Sequence, residues 1–315
     1  MLAVVASDGA VSVEERPDPQ PGTGEILVRV RAAGLNGADL LQRAGRYPPP
    51  DGLPADRLGL EVAGVVESCG PQATRFAPGD AVMGLVSGGG QSELVVLHER
   101  VAMAVPDRIP WPVAGGFPEV FTTAHDAIVT QCGLRSGERL LVNGAAGGVG
   151  TAAVQIAVQL GATVVASVRA SERRGGVAAL GAEAVGPDEA HGLGPFDVVL
   201  ELVGAPNLAA DLTALATGGR VVVIGTGAGS RGEIDLGQLM IRRATLRGST
   251  LRARPLEEKA AAARLVERHV VPLLADGRLQ VPIEATYSIA DAAQAYDRFE
   301  GGAKLGKIVL TAGYP

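Results

Sequence analysis

The chain has 315 residues, 47% of them hydrophobic and 20% charged, with a formal net charge of −6 and a pI near 5.4. That composition supplies a core for two domains and excludes disorder as the main state, and the acidic balance argues against nucleic acid as a partner, since phosphate binding draws on clustered Lys and Arg. Two cysteines, Cys69 and Cys132, make no disulfide framework, which fits a reducing cytoplasm, and no stretch reads as a signal peptide or membrane span.

In chain order, Met1–Ala10 reads as a first strand and turn. Further strands are predicted at Val11–Glu15, Glu25–Ala32, Gly64–Ser68, Ala81–Leu85 and Glu93–Leu97, separated by clusters such as Pro17-Asp18-Pro19 and Ala77-Pro78-Gly79-Asp80. Such spacing predicts a small β-barrel or strongly bent sheet. Between the second and third of these lies Leu35–Pro50, LNGADLLQRAGRYPPP, which places Asn36, Asp39, Arg43 and Tyr47 around a short helix ended by three prolines. In a chain with 3% aromatic residues, Tyr47 has two readings. Its phenol can hydrogen-bond a carbonyl and deliver a proton, or it can simply pack on the prolines.

From Phe117 the pattern turns to alternating strands and helices. Arg139–Arg169 gives a strand (Leu140–Asn143), a glycine-rich turn (Gly144–Gly150), a helix from about Val149 to Leu160 with apolar residues at helical spacing, and a second strand (Thr163–Ser167). Gly161 ends the helix as a C-cap glycine. The glycines serve a tight turn, close approach of a pyrophosphate to the backbone, and close packing of helix on sheet. The order Gly144-x-x-Gly147-x-x-Gly150 departs from the usual fingerprint, with Ala145 at a glycine position, so the strand-turn-helix-strand context carries the prediction of a dinucleotide site.

The same stretch bears on which dinucleotide binds. An NAD site places a carboxylate at the end of the second strand, yet no acidic residue stands between Glu138 and Glu172. Arg169 stands there instead, followed by Arg173 and Arg174. Guanidinium groups suit a 2′-phosphate, which favours NADPH; the alternative is solvated surface charge. Strands at Asp197–Glu201, Arg220–Ile224 and near Ala244–Gly248, with a helix at Leu208–Ala216, complete a parallel doubly wound sheet. A long helical run (Pro255–Leu274), then a strand, a helix from near Ser288 and a final strand (Lys307–Leu310), return to the first domain. A cofactor domain inserted in a catalytic domain is therefore expected, with a ligand cleft between them. The four histidines are scattered, and there is no CxxC, HExxH or GxSxG. No metal is expected, and hydride chemistry remains.

Read together, Asn36–Tyr47, Leu58–Gly64 (LGLEVAG), Pro78–Val82 (PGDAV), Gly88–Gln91 (GGGQ), Pro118–Ala124 (PEVFTTA), Gly144–Thr151 and Gly306–Leu310 (GKIVL) resemble the zinc-free quinone oxidoreductases of the medium-chain dehydrogenase/reductase superfamily. The pattern is similar to zeta-crystallin and nearest to the tumour-suppressor-inducible quinone oxidoreductase branch. The resemblance implies an α/β protein, with a GroES-like β-barrel catalytic domain (1–116 and 257–315) and a Rossmann doubly wound parallel sheet domain (117–256) that binds NADPH, usually as a homodimer. It also implies no metal: Asn36 stands where zinc-containing relatives have a cysteine ligand, Gly59-Leu60-Glu61 replaces their GHE, and their four-cysteine loop is absent.

By position, Tyr47 resembles the family tyrosine over the nicotinamide and Thr123 the residue near its carboxamide. Gly147, Gly148 and Val149 resemble the pyrophosphate turn, Arg173 replaces a lysine beside the 2′-phosphate, and Gly225 and Leu251 fall where backbone lines the nicotinamide. Three departures stand out: Arg169 replaces a small residue, Gly186–Leu193 lacks a tyrosine near the 2′-phosphate, and Lys304 replaces an asparagine. The implied activity is NADPH-dependent reduction of a small-molecule quinone or enone, with Tyr47 and Asn36 holding the acceptor oxygen. Enoyl reduction is the second reading. An NADPH-binding redox sensor or RNA-binding factor is a third, against which the acidic balance, Tyr47 and Thr123 all count.

Overall fold

A computed structural model describes residues 1–50 and 52–312. The chain divides into two compact units, one of Met1–Thr122, Leu251–Gly302 and the chain from Lys307, the other of Thr123–Thr250 and Ala303–Gly306. Residues 117–122 and 251–256 thus pack with the first unit, and the four residues 303–306 with the second, although the sequence pattern places both boundaries elsewhere.

In the first unit the strand Glu25–Gly34 is the axis of a seven-stranded sheet. One edge pairs with Glu61–Cys69; the other pairs first with Leu94–His98 and then, from Ala32 to Gly34, with the C-terminal strand Lys307–Thr311. Register shifts at Leu27/Val28 and Val30/Ala32 interrupt its pairing with Glu61–Cys69, and such bulges bend and coil a sheet. Ile26, Val28, Val30, Val62, Val66 and Val82 fill the interior. A second cluster, with Leu35, Leu58, Ile308 and Leu310, is roofed by the helix Ala292–Glu300 through the fully buried Tyr296.

Two predicted helices differ in detail. Gly37–Arg43 ends at Ala44 and Gly45, the latter at φ +69°, before the prolines are reached. The run expected over Pro255–Leu274 is two helices, Leu256–His269 and Val271–Ala275, because Pro272 has no N–H to continue the first.

The second unit holds a six-stranded, all-parallel sheet. Its strands in chain order are Arg139–Asn143, Thr163–Ser167, Glu183–Val185, Phe196–Glu201, Leu215–Val223 and Thr245–Gly248. Across the sheet they run 3-2-1-4-5-6, so the order reverses between Arg139–Asn143 and Phe196–Glu201. Ligands of open α/β sheets bind beyond the carboxyl ends of the strands at such a reversal. The central strands are buried on both faces, as parallel strands must be when helices cover the sheet on either side. The helix predicted over Leu208–Ala216 stops at Thr213, since Leu215 already belongs to the next strand.

Among the described residues no helix is long and apolar enough to cross a membrane.

Gly150 is the tightest point of the first turn: a Cβ there would lie 2.6 Å from the Cα and carbonyl oxygen of Ala145. Backbone cannot yield as a side-chain tip can, so Gly150→Ala is expected to cost about 1–3 kcal/mol, the usual penalty of overpacking. Chemical denaturation of the variant beside wild type checks this, and an unchanged midpoint would contradict the packing role.

Candidate functional site

The first unit buries a polar network built from residues far apart in sequence. Asn36 caps the helix Gly37–Arg43 in a reciprocal box with Asp39, whose Oδ2 accepts from the Asn36 amide at 2.8 Å. Asp39 Oδ1 accepts from the Gly59 amide (3.2 Å), and the Gln91 side-chain amide reaches Oδ2 at 3.4 Å. Tyr296 Oη donates to Gln91 Oε1 (2.8 Å). The ammonium of Lys307, 2% exposed, lies 2.6 Å from Glu61 Oε1 and donates to Asn36 Oδ1 (2.7 Å) and the Leu35 carbonyl (2.6 Å). Asn36 Nδ2 returns a bond to Glu61 Oε1 (2.9 Å), and Glu61 Oε2 accepts from the Glu119 amide (2.8 Å). Neighbouring glycines make room: a Cβ on Gly34 would meet Glu61 Oε1 at 2.3 Å, and one on Gly59 the Gln91 amide at the same distance.

Burial raises the Asp39 carboxyl to about 6, against the pull of the two amides and the Lys307 charge. Burial likewise raises the Tyr296 phenol well above its ordinary value, with Asp39 adding to the shift.

Beside this network a cavity of about 230 Å³, open to solvent, runs along the same unit. Leu60, Leu85, Leu251 and Leu256 give it an apolar wall, and Ser87, Glu119, Arg252 and Lys259 give it polarity. Arg252, 7% exposed, donates to the carbonyls of Ser87 and Tyr47 (2.9 Å each) and to Gln42 Oε1 (2.7 Å). Its guanidinium stands 5.1 Å from the centre of the Tyr47 ring, so a cation rather than the prolines alone fixes that loop.

In the second unit the turn after Asn143 behaves as the glycines predict. Gly144 has φ +77°, and Gly147 caps the helix Gly148–Gln159 with no side chain over its end and no acidic residue in its first turn. A Cβ on Gly147 would find only the Gly144 carbonyl, at 3.6 Å, so the space in front of the helix is open. Ala146–Val149 are half-buried, and the first amides of a 12-residue helix, uncapped by any side chain, are donors of the kind that suit an anion. At the strand reversal Glu201 ties the next loop down: its carboxylate accepts from the amides of Val203 and Gly204 and from Asn143 and Asn207. Burial, then the nearby Asp211, raises the Glu201 carboxyl. Gly225 is required by close approach, since a Cβ there would lie 2.2 Å from the Leu202 carbonyl oxygen.

Past the strand Thr163–Ser167 stands exposed Arg169, with no carboxylate at the strand end. Arg173 donates to the Ala303 carbonyl through Nε (3.1 Å) and Nη2 (2.7 Å), and Arg174 to the Val168 carbonyl (3.2 Å). The segment Ala303–Gly306 lies along the phosphate turn, with the Gly306 amide donating to the Ala146 carbonyl (2.8 Å). Lys304 therefore sits between the Arg173 anchor and the turn.

The second unit thus contains Thr123, Gly147, Gly148, Val149, Arg169, Arg173, Gly225 and Lys304, and the first contains Asn36, Tyr47 and Leu251. Asn36 differs from expectation: both ends of its amide are committed inside the protein, so it positions Lys307 and Glu61 instead of presenting a free donor to an acceptor. Leu251 packs with Leu85 and Ala262 and lines the cavity. Arg252 and Lys259 were not singled out from sequence. Their signal is two basic residues at the entry of a helical run, and nothing in that pattern shows that they are buried.

Comparison with known proteins places residues 22–130 in the alcohol dehydrogenase GroES-like domain and residues 148–268 in the zinc-binding dehydrogenase domain. The chain is 36% identical over 307 residues to the spectinabilin polyketide synthase system protein NorB of Streptomyces orinoci; that match takes in 91% of this chain but only 13% of NorB. It is 30% identical over 309 residues to the quinone oxidoreductase of Mus musculus, covering 93% of this chain and 90% of that one. A mycobacterial protein solved with NADPH superposes with a TM-score of 0.88 at 26% identity, over 99% of each chain.

The ammonium of Lys307 already occupies the acceptors of Glu61 and Asn36, and no group of three His, Cys, Asp or Glu able to hold a metal forms among the described residues.

The raised Asp39 carboxyl makes stability depend on pH. Its folded value, about 6, exceeds the ordinary 3.8, so its stabilising contribution is complete below pH 4 and lost as pH rises through 6. Relative to Asp39→Asn, wild type is expected to lose about 3 kcal/mol of unfolding free energy between pH 4 and pH 7. Denaturation curves for both proteins across that range check it; parallel pH profiles would contradict it.

Proposed function

The chain belongs to the medium-chain dehydrogenase/reductase superfamily of nicotinamide-dependent oxidoreductases, and on that premise we propose that it reduces quinones or related conjugated carbonyls with NADPH and without zinc. Within the superfamily the reading is zeta-crystallin-like and nearest to the tumour-suppressor-inducible branch. A homodimer in the cytoplasm, with a small molecule and neither nucleic acid nor membrane as partner, belongs to the same proposal. The observation that carries the cofactor choice is the end of the strand Thr163–Ser167, where Arg169 stands in place of a carboxylate and Arg173 is held nearby.

NADPH, when bound, supplies hydride to the acceptor. The chain's own share is binding and orientation. The first amides of the helix Gly148–Gln159 take the diphosphate, and Arg169 and Arg173 take the 2′-phosphate. Thr123 and Gly225 border the nicotinamide. Tyr47 donates its hydroxyl to the acceptor oxygen, from a ring that Arg252 holds by cation–π contact and by a bond to the same residue's carbonyl. Asn36 acts at one remove, by fixing Lys307 and Glu61. Quinones accept hydride readily, so orientation suffices for much of the rate.

An enoyl reductase is the second reading, supported by the 36% identity to NorB. Saturating a C=C bond requires a proton at carbon and hence a placed acid, so it leans harder on Tyr47.

Two measurements test these readings. NADPH oxidation is expected to exceed NADH oxidation with a 1,4-quinone, and Arg169→Ala should raise the KM for NADPH about tenfold while leaving that for NADH in place, the loss of one charge-assisted contact. An equal effect on both cofactors would remove Arg169 from the 2′-phosphate site. Tyr47→Phe should lower kcat/KM about fivefold on the quinone, one neutral hydrogen bond, and about 100-fold on a crotonyl thioester if that is the true substrate class. Unchanged turnover on both acceptors would take Tyr47 out of the mechanism.

A further inference from the structure

Arg252 is bonded differently from the arginines that form ion pairs at the surface of the first unit. Arg16, Arg29, Arg43, Arg75, Arg100 and Arg298 each pair with a carboxylate at the surface. Arg252 is buried and has only neutral acceptors: two carbonyls and one amide oxygen. Half-buried Lys259 is in the same condition, donating to Ser87 Oγ (2.8 Å) and the Arg252 carbonyl (3.0 Å). Both cations converge on Ser87, one at its carbonyl and one at its hydroxyl. Both line the cavity, their hydrogen bonds go to neutral oxygens, and Glu119, which lines the same cavity, favours both charges through space.

Charge buried in this way is expensive unless paired. Burial lowers the affinity of each group for its proton, and the Arg252 charge lowers that of Lys259 further; Tyr47, Asp39 and Glu119 oppose the shift at Arg252, and Glu119 opposes it at Lys259. The guanidinium has five N–H groups and three are used; the ammonium has three and two are used. Unused donors on two cations, at one end of an apolar wall of Leu60, Leu85 and Leu251, describe a receptor for a molecule with an anionic end and an apolar body.

We infer that this cavity selects acceptors bearing an anionic arm, a carboxylate or a phosphate ester, seated between Arg252, Lys259 and the hydroxyl of Ser87. The inference rests on the reductase reading and narrows its substrate class: a conjugated carbonyl whose body lies on the leucines and whose charged arm fixes its direction. Free organic acids and acceptors carried on a phosphate-bearing group share this chemistry.

Binding can be measured without turnover, which separates this proposal from the reductase reading. Calorimetric titration of the whole protein with 2-naphthoate, 2-naphthyl phosphate and neutral 2-methoxynaphthalene is expected to show one of the anions binding at least tenfold tighter than the neutral probe. Lys259→Met should reduce that preference to within threefold, and Lys259→Arg, which keeps the cation, should retain most of it. The tighter anion identifies the source, a free acid for naphthoate and a phosphate-borne acceptor for naphthyl phosphate. Equal affinity of all three probes for wild type, or an undiminished preference in Lys259→Met, overturns the inference; the wild-type comparison stands even if the methionine variant fails to fold. In a second arm, NADPH oxidation is followed with a neutral naphthoquinone and its carboxyethyl derivative. Turnover of both at equal KM overturns the anion subsite alone, whereas naphthoate binding with no turnover of either quinone overturns the reductase reading and leaves the subsite in place.

Discussion

The ammonium of Lys307, enclosed by Glu61, Asn36 and the Leu35 carbonyl, is the constraint on which the first unit depends. A buried ion pair adds little net stability over an apolar core, yet losing one partner strands the other charge at a cost of about 3–5 kcal/mol. The pair therefore acts as a lock. It joins the C-terminal strand to the loop before the helix Gly37–Arg43 and to the strand Glu61–Cys69, three places that local sequence cannot bring together. From there Asp39, Gln91 and Tyr296 carry the network to the roofing helix. The Asn36, LGLEVAG, GGGQ and GKIVL segments, scattered along the chain, are the parts of this single network.

The second unit solves the opposite problem. Where the first unit closes its polar groups on one another, the turn at Gly147 leaves the first amides of a 12-residue helix open. Around that opening the backbone is held firmly. Gly150 packs on Ala145, Glu201 gathers two loop amides and two asparagines, and Ala303–Gly306 lies along the turn. Rigid surroundings with unfilled donors make a binding site out of a strand end.

Much of this was legible in the sequence because it is local. The Rossmann turn rests on glycines and apolar spacing within 30 residues, and the strand Thr163–Ser167 was found with its bounds intact. Helix ends were less legible, since a proline announces a break but a left-handed Gly45 or an early strand at Leu215 does not. The roles of Asn36 and Arg252 were hidden for another reason. Asn36 reads as an available amide until Lys307 and Glu61, 271 and 25 residues away, consume both of its ends. Arg252 reads as one surface cation among many until folding buries it against neutral oxygens. Long-range pairing and burial decide both, and neither leaves a periodic trace.

Gly34 adds a historical dimension to the Lys307 lock. With no side chain it leaves the space that Glu61 Oε1 and Lys307 Cε fill, 2.3 Å and 2.9 Å from where a Cβ would stand. Positions 34, 61 and 307 consequently form one heritable unit: a lineage could exchange the acid, the base or the glycine only by changing the others nearly at once, because each single step passes through a clash or a stranded charge. Drift can rewrite the cavity wall or the surface arginines one residue at a time, but this triplet must move together or stay.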